Sequence, residues 1–226
     1  MQARSQTILE TVIQDYINTG KPVSSDQLCE SHDFGVKSAT IRAELSRLID
    51  SGFLMQPHTS SGRVPTDKGY KFFVAKVLAD LDDGSVKIKA SLKDAFGDAV
   101  GKLVEDVASE LSLLGVGYGT DEGNLHKDGL DELFMNLDLL DRQDVFEIIR
   151  DFEMLDERIE NILNHISGQV PSVFIGKSPI TKSRHLSVVA DVYDRGDEEI
   201  VLLAIGPKRM DYNKTIKTFR LLHQYE

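Results

Sequence analysis

The sequence predicts an α+β protein in two parts: a helical head over residues 1–75 and a helix-rich stretch over 76–226 that closes on strands. Three observations predict it. Apolar residues in the first fifty positions recur every three and four, the spacing of one helix face. Ile200 to Ile205 is a near-continuous apolar run, the pattern of a strand buried on both faces. Charge is divided unevenly: residues 1–75 hold eight basic and eight acidic side chains, so residues 76–226 hold 18 against 29 and carry the whole net charge of −11.

Composition excludes several classes. That same run, Ile200 to Ile205, is the longest uncharged apolar one, far short of the roughly 20 residues a membrane span needs. Met1 to Ser5 lead into a polar amphipathic pattern instead of the apolar core of a signal peptide, so a soluble cytoplasmic chain is expected. A single cysteine, Cys29, rules out an intramolecular disulfide and a cysteine-based zinc site.

In the head, Ile8, Leu9, Val12, Ile13, Tyr16 and Ile17 mark a first helix over residues 6–18. Gly20 stops it and Pro22 follows. Ser24-Ser25-Asp26-Gln27 has the form of a capping box, with Val23 and Leu28 placed as a hydrophobic staple, so a short helix covers about 24–31. A turn with Gly35 leads to a third helix, Ser38 to about Ser51, ended by Gly52. Ile41, Leu45, Leu48 and Ile49 form its inner face. At 100° per residue the opposite face carries Ala39, Ala43, Ser46 and Arg47, with Thr40 and Arg42 on the flanks. That face is small, polar and basic. A short helix, a turn and such a helix make a helix-turn-helix, whose last helix enters the major groove of duplex DNA.

Phe53-Leu54-Met55 reads as a strand and Val64 as the start of a return strand. Between them His58, Thr59, Ser60, Ser61 and Arg63 form a hydroxyl-rich tip. A hairpin wing of this kind offers hydroxyls and backbone amides to phosphate, and Arg63 to phosphate or a narrow minor groove. Three helices and a wing give a winged helix. Residues 37–71 hold six basic groups against three acidic ones, the local field a polyanion would meet. The candidate DNA-contacting set is therefore Ser38, Ala39, Thr40, Arg42, Ala43, Ser46, Arg47, His58, Thr59, Ser60, Ser61 and Arg63. Tyr70 and Phe72 are expected under the wing, not on bases.

Gly35-Val36-Lys37-Ser38-Ala39-Thr40-Ile41-Arg42, and the longer run from Gln56 through Gly62-Arg63-Val64-Pro65-Thr66 to Tyr70, resemble the HrcA family of heat-inducible transcription repressors. Ile205-Gly206-Pro207-Lys208-Arg209-Met210-Asp211-Tyr212 is similar to that family's terminal motif. The resemblance implies a homodimer that binds an inverted-repeat operator upstream of chaperone operons. It also implies dependence on the GroE chaperonin, so that unfolded-protein load relieves repression. Two positions depart from the family pattern. Ala43 stands where Asn follows Thr-Ile-Arg; Asn pairs bidentately with adenine, whereas Ala offers only a methyl contact to thymine. Lys37 stands in place of a serine N-cap, which weakens the cap by about 1 kcal/mol unless Ser38 takes the role.

Beyond the head, a helix continues from Lys71 to Leu81. Ile88, Leu92, Phe96, Val100, Leu103, Val104, Val107 and Leu111 mark one long stripe over 86–111. A short strand is expected at 113–119, a loop at 120–124, and helices at about 129–140 and 142–166. Strands follow at 171–176, from His185 to Val192 and at 200–205. Asp211 or Asn213 caps a final helix with Ile216, Phe219 and Leu222 inside. The resemblance implies a GAF-like domain here, trimmed between Gly119 and Gly129, where the family carries more strands and a dimerisation segment. The stripe on 86–111 and the helices at 129–166 read first of all as core, and they are also the candidate dimer surfaces.

Catalytic signals are missing. Gly115-Val116-Gly117-Tyr118-Gly119 lacks the Lys-Ser/Thr of a P-loop and the spacing of a dinucleotide fingerprint, and reads as a turn. No Gly-x-Ser-x-Gly elbow occurs. His32, His126, His165, His185 and His223 show no metal-site spacing, and Cys29 reads as packed. Neither enzyme, metal nor cofactor is expected. Two further readings stay open: a ligand-gated regulator whose GAF-like half binds a small molecule, and a chaperonin-interacting scaffold.

Overall fold

The structure is a computed structural model that describes all residues except 59–61, 81–89, 98, 122, 139–140, 169 and 197. The chain divides into two compact units, Met1–Lys76 and Val77–Glu226.

The first unit opens with α1 (Ala3–Thr19), which ends at Gly20 in the left-handed region (φ 64°). Ile8, Leu9, Val12 and Ile13 of α1 are fully buried, each contributing about 1.5–3 kcal/mol by leaving water. Helix α2 (Ser25–Ser31) begins under Ser24, whose Oγ accepts from the Gln27 amide at 3.1 Å. Asp33 closes the next turn by accepting from the Gly35 amide at 2.8 Å. Helix α3 (Ser38–Asp50) buries Ile41, Leu45 and Leu48. Strand β1 (Leu54–Met55) then pairs antiparallel with β2 (Val64–Pro65), Leu54 opposite Pro65 and Met55 opposite Val64. Helix α4 (Asp67–Ala79) follows, and Glu10 of α1 accepts from Lys76 Nζ at 2.7 Å.

The second unit is built on a five-stranded antiparallel sheet. Its elements are α5 (Ala90–Phe96), α6 (Val100–Leu111), β3 (Leu114–Gly119), β4 (Asn124–Asp128), α7 (Leu130–Asn136), α8 (Arg142–Glu153), α9 (Leu155–Arg158), α10 (Glu160–Leu163), β5 (Ser172–Ile175), β6 (Leu186–Asp194), β7 (Glu199–Pro207) and α11 (Tyr212–Leu222). Strand order is β4-β3-β7-β6-β5. Strand β7 lies at the centre and is buried from Ile200 to Pro207, as an apolar run without alternation requires. Asp211 caps α11 by accepting from the Lys214 amide at 3.0 Å.

Both faces of the sheet are covered. On one, Leu114, Val116, Leu186, Val188, Val201, Leu203 and Ile205 pack with Leu133, Ile148, Leu155, Ile159 and Ile162 of the α7–α10 segment. On the other, the glycines of β3 let α6 approach: a Cβ on Gly117 would lie 2.5 Å from Val104 Cγ2 and 2.9 Å from Val100 Cγ1. Helix α11 joins that face through Tyr193, whose hydroxyl donates to the Phe219 carbonyl at 2.8 Å, and Tyr212, which donates to Ser187 at 2.9 Å.

Four expectations are corrected. The 86–111 stripe is not one helix: α5 and α6 are separated around Gly97 to Ala99, and residues 86–89 lie outside the described residues. Leu103, Val104 and Val107 are buried at 0–1% exposure, so α6 spends its stripe inside its own unit. The 142–166 stripe breaks into α8, α9 and α10. Residues 114–119 form the strand expected over 113–119 and not the turn their glycines also suggested, and the expected loop leads into β4, which pairs with β3 from Gly119↔Asn124 to Gly115↔Asp128.

Candidate nucleic-acid interface

The outward side of α3 follows from its inward side. Burying Ile41, Leu45 and Leu48 leaves Ser38, Ala39, Arg42, Ala43, Ser46 and Arg47 exposed and Thr40 partly so. The exposed positions fall three and four residues apart, a continuous stripe of small and basic side chains. The helix opens at Lys37, extended at φ −74° and ψ 155°, with no side-chain cap bond, so Ser38 does not take over the capping role.

Two arginines on this stripe are held by acids. Arg42 donates from Nη2 to Asp26 at 2.8 Å and from Nε to Ser25 Oγ at 3.2 Å, tying α3 to the first turn of α2. The Arg42 guanidinium, by hydrogen bond and charge, holds the Asp26 carboxyl below the usual carboxylate range, and the charge of Arg63 adds to this. A lowered value means that the pair's contribution is present above the ordinary carboxylate pKa and is lost as pH falls through the lowered one. Arg47 donates to Glu44 Oε1 at 2.9 Å, and the other Glu44 oxygen accepts from Ser5 Oγ of α1 at 2.7 Å. Glu44 is only 2% exposed. It was absent from the candidate set, although its place three residues after Ile41 and four before Leu48 puts it on the inner face. With Glu44 buried, the exposed surface of α3 is more basic than a count of its charges suggests.

The hairpin is anchored at its base. Val23 and Arg63 exchange two backbone hydrogen bonds, Val23 N to Arg63 O at 2.9 Å and Arg63 N to Val23 O at 2.8 Å. The sequence placed Arg63 in the tip. Instead it stands at the base, half-buried, and its buried Nε has no hydrogen-bond partner among the described residues. Gly62 passes so close to Pro22 that a Cβ would lie 2.5 Å from its carbonyl carbon. His58 is exposed, and Thr59, Ser60 and Ser61 fall outside the described residues. Thr66 donates to the Gly52 carbonyl at 2.7 Å and accepts from the Gly69 amide at 3.2 Å, linking the end of α3 to the start of α4. Lys68 donates to the Ser51 carbonyl at 2.8 Å and lies 4.4 Å over the Phe53 ring, a structural use of one basic group. Tyr70 is buried and Phe72 packs edge-on against Phe53 at 5.7 Å.

Histidines behave differently from their sequence neighbourhoods. His32 lies 3.0 Å from Asp15, His185 3.0 Å from Asp144 and His223 2.9 Å from the buried Asp191. These are pairs across the fold, which sequence spacing does not encode. Among the described residues no group of three or more His, Cys, Asp or Glu comes together to hold a metal ion. Also among the described residues, no helix is long and apolar enough to cross a membrane.

Comparison with known proteins adds the family. A protein named heat-inducible transcription repressor HrcA from Bifidobacterium longum (strain DJO10A) is 51% identical over 76 residues, 34% of this chain and 20% of its own length. One of the same name from Clostridium perfringens is 40% identical over 116 residues, 49% of this chain and 34% of its own length. The chain thus spans a fifth to a third of the length of these curated relatives. A crystal structure described only as a hypothetical protein at 2.2 Å resolution matches all of this chain and 98% of its own with a TM-score of 0.79 and 16% identity, which shows a shared fold. The family model described as the HrcA protein C terminal domain matches residues 73–216, well over half of the sequence. The chain belongs to the HrcA family.

Proposed function

We propose that the chain is a transcription repressor that binds an inverted-repeat operator of chaperone operons as a homodimer, through a winged helix-turn-helix head. The observation that carries this reading is the outward stripe of α3, with Ser38, Ala39, Arg42, Ala43, Ser46 and Arg47 exposed together. In the proposed complex α3 lies in the major groove, and the 56–63 hairpin lies along flanking phosphates. The uncapped start of α3 offers its first amides to a phosphate. Two heads related by a two-fold axis meet half-sites about one helical turn, ~34 Å, apart. The acidic second unit, a GAF-like regulatory domain in this reading, repels DNA away from the heads and orients docking. Heat or titration of the GroE chaperonin lowers the folded fraction and vacates the operator. The space beneath the sheet is filled by Leu133, Ile148, Leu155, Ile159 and Ile162, which supports a closed core over the ligand-gated alternative.

Selection of bound duplexes from a random pool tests the reading. The parent is expected to enrich an inverted repeat. Ala43→Asn is expected to shift base preference toward adenine at one position per half-site, by about 1–3 kcal/mol of discrimination. No enrichment of any duplex at moderate salt would overturn the proposal and favour a scaffold role.

A second prediction concerns Asp26. Its carboxylate competes with phosphate for Arg42, an exposed pair with 58% and 66% of the two side chains accessible. Asp26→Asn is therefore expected to tighten binding to specific and random duplexes alike, by roughly threefold to tenfold at low salt, and to steepen the salt dependence. Fluorescence anisotropy across a salt series measures both. Unchanged affinity would mean that Arg42 lies off the path of the DNA backbone.

A further inference from the structure

We infer that the exposed face of α8 is a contact surface for a second copy of this chain, with the two helices antiparallel about a two-fold axis; the inference rests on the dimeric part of the functional reading and gives it a location. Four positions on α8 point away from its buried side: Arg142, Phe146, Ile149 and Glu153, all exposed, with Phe146 58% and Ile149 37% accessible. Their spacings of four, three and four keep them within about 60° of arc. Two large apolar side chains at the centre of an otherwise solvated stripe are a feature of contact surfaces.

The charges at the ends of the stripe identify the partner. Arg142 is the first residue of α8 and Glu153 the last. A cation at a helix N-terminus and an anion at its C-terminus both oppose the helix dipole. Neither side chain has an ion pair among the described residues; Arg142 only lies 5.6 Å over the Phe146 ring. An antiparallel copy offsets both penalties, because it sets the partner helix's opposite terminus beside each end charge. An axis crossing the helix between Glu147 and Ile148 sets Phe146 against the partner subunit's Ile149, and Arg142 against the partner subunit's Glu153. By symmetry each pairing occurs twice, and each end charge then sits beside the helix terminus that favours it. Self-complementarity of this kind is what a two-fold interface demands. Helix α8 is about 18 Å long, so the helix pair alone falls below the ~1,200 Å² of a standard stable interface. The association is accordingly concentration-dependent.

Sedimentation equilibrium of the full chain tests this. The parent is expected to show a monomer–dimer equilibrium in the micromolar range. Arg142→Glu and Glu153→Arg should each weaken dimerisation about tenfold or more, by placing like charges together. The double variant R142E/E153R should return to within about threefold of the parent, a rescue that loss of folding does not produce. Phe146→Lys should leave monomer at the same concentrations. If every variant dimerises like the parent, copies meet elsewhere and this surface is wrong while the operator reading stands. If the parent stays monomeric to about 100 μM and also on an operator duplex, the surface and the dimeric reading fail together.

Discussion

Replacing Asp151 with alanine is expected to destabilise the second unit by about 3–5 kcal/mol, read as a lowered denaturation midpoint with an unchanged slope. Asp151 is 2% exposed and fully engaged. It accepts from Arg158 Nη1 at 2.8 Å, from the Lys182 amide at 2.9 and 2.8 Å on its two oxygens, and from the Ser183 amide at 2.7 Å. Arg158 has only 12% of its side chain accessible, and it also donates to the Ile180 carbonyl at 3.1 Å. One carboxylate thus joins α8 to α9 and to the segment that precedes β6. Alanine would leave a guanidinium without its counter-charge in a poorly solvated site and two peptide amides without acceptors, and each of these carries its own desolvation penalty. Pairs open to solvent on one side, such as Lys102–Asp106 and Arg209–Asp138, lack most of that penalty and contribute far less. The double variant Asp151→Ala with Arg158→Met should recover part of the loss, because it removes the stranded charge together with its partner. A loss below 1 kcal/mol in the single variant would mean that water reaches Arg158 and that the link does not organise the unit.

Much of the fold was legible where one chemical pattern had one meaning. Ile200 to Ile205 has no alternation, and β7 is covered on both sides. Ser24 and Asp211 stand one residue before their helices and cap them. The wheel of residues 38–51 separated Ile41, Leu45 and Leu48 from the outer positions but passed over Glu44, whose charge hid its place on the inner face. The errors share another physics. A hydrophobic stripe records which side of a segment is buried, not whether its backbone is unbroken, so 142–166 read as one helix. Strand β4, with Asn124, His126, Lys127 and Asp128, has almost no apolar signature; as an edge strand it takes its form from pairing with β3. The glycines of β3 suggested a turn because their reason lies elsewhere in the chain, in the approach of α6. Arg63 read as a tip residue because its partner, Val23, lies forty positions earlier, beyond any local pattern.

That long-range pairing carries the second large expectation. Gly62→Ala should detach the base of the hairpin and reduce affinity for specific and random duplexes alike by about tenfold or more, the signature of lost phosphate contacts rather than lost base reading. The new Cβ would lie 2.5 Å from both the carbonyl carbon and oxygen of Pro22 and 2.6 Å from the Val23 carbonyl carbon. All three are backbone atoms, with no flexible side chain to move aside. Relief therefore requires separating residue 62 from the Pro22–Val23 turn, which opens the two hydrogen bonds between Val23 and Arg63. Helices α1 to α3 keep their core of Ile8, Leu9, Val12, Ile41, Leu45 and Leu48, so most of the thermal stability should remain. Gly52→Ala is the useful contrast. Its Cβ meets nothing within 4 Å, but its φ of 74° costs about 1–2 kcal/mol of backbone strain. It should lower stability without opening the bridge. Amide exchange at Val23 and Arg63 reports the bridge directly, while anisotropy reports the affinity. Fast exchange at both amides with undiminished affinity in Gly62→Ala would show that the hairpin is not part of the DNA-binding surface, and α3 would then have to act without it.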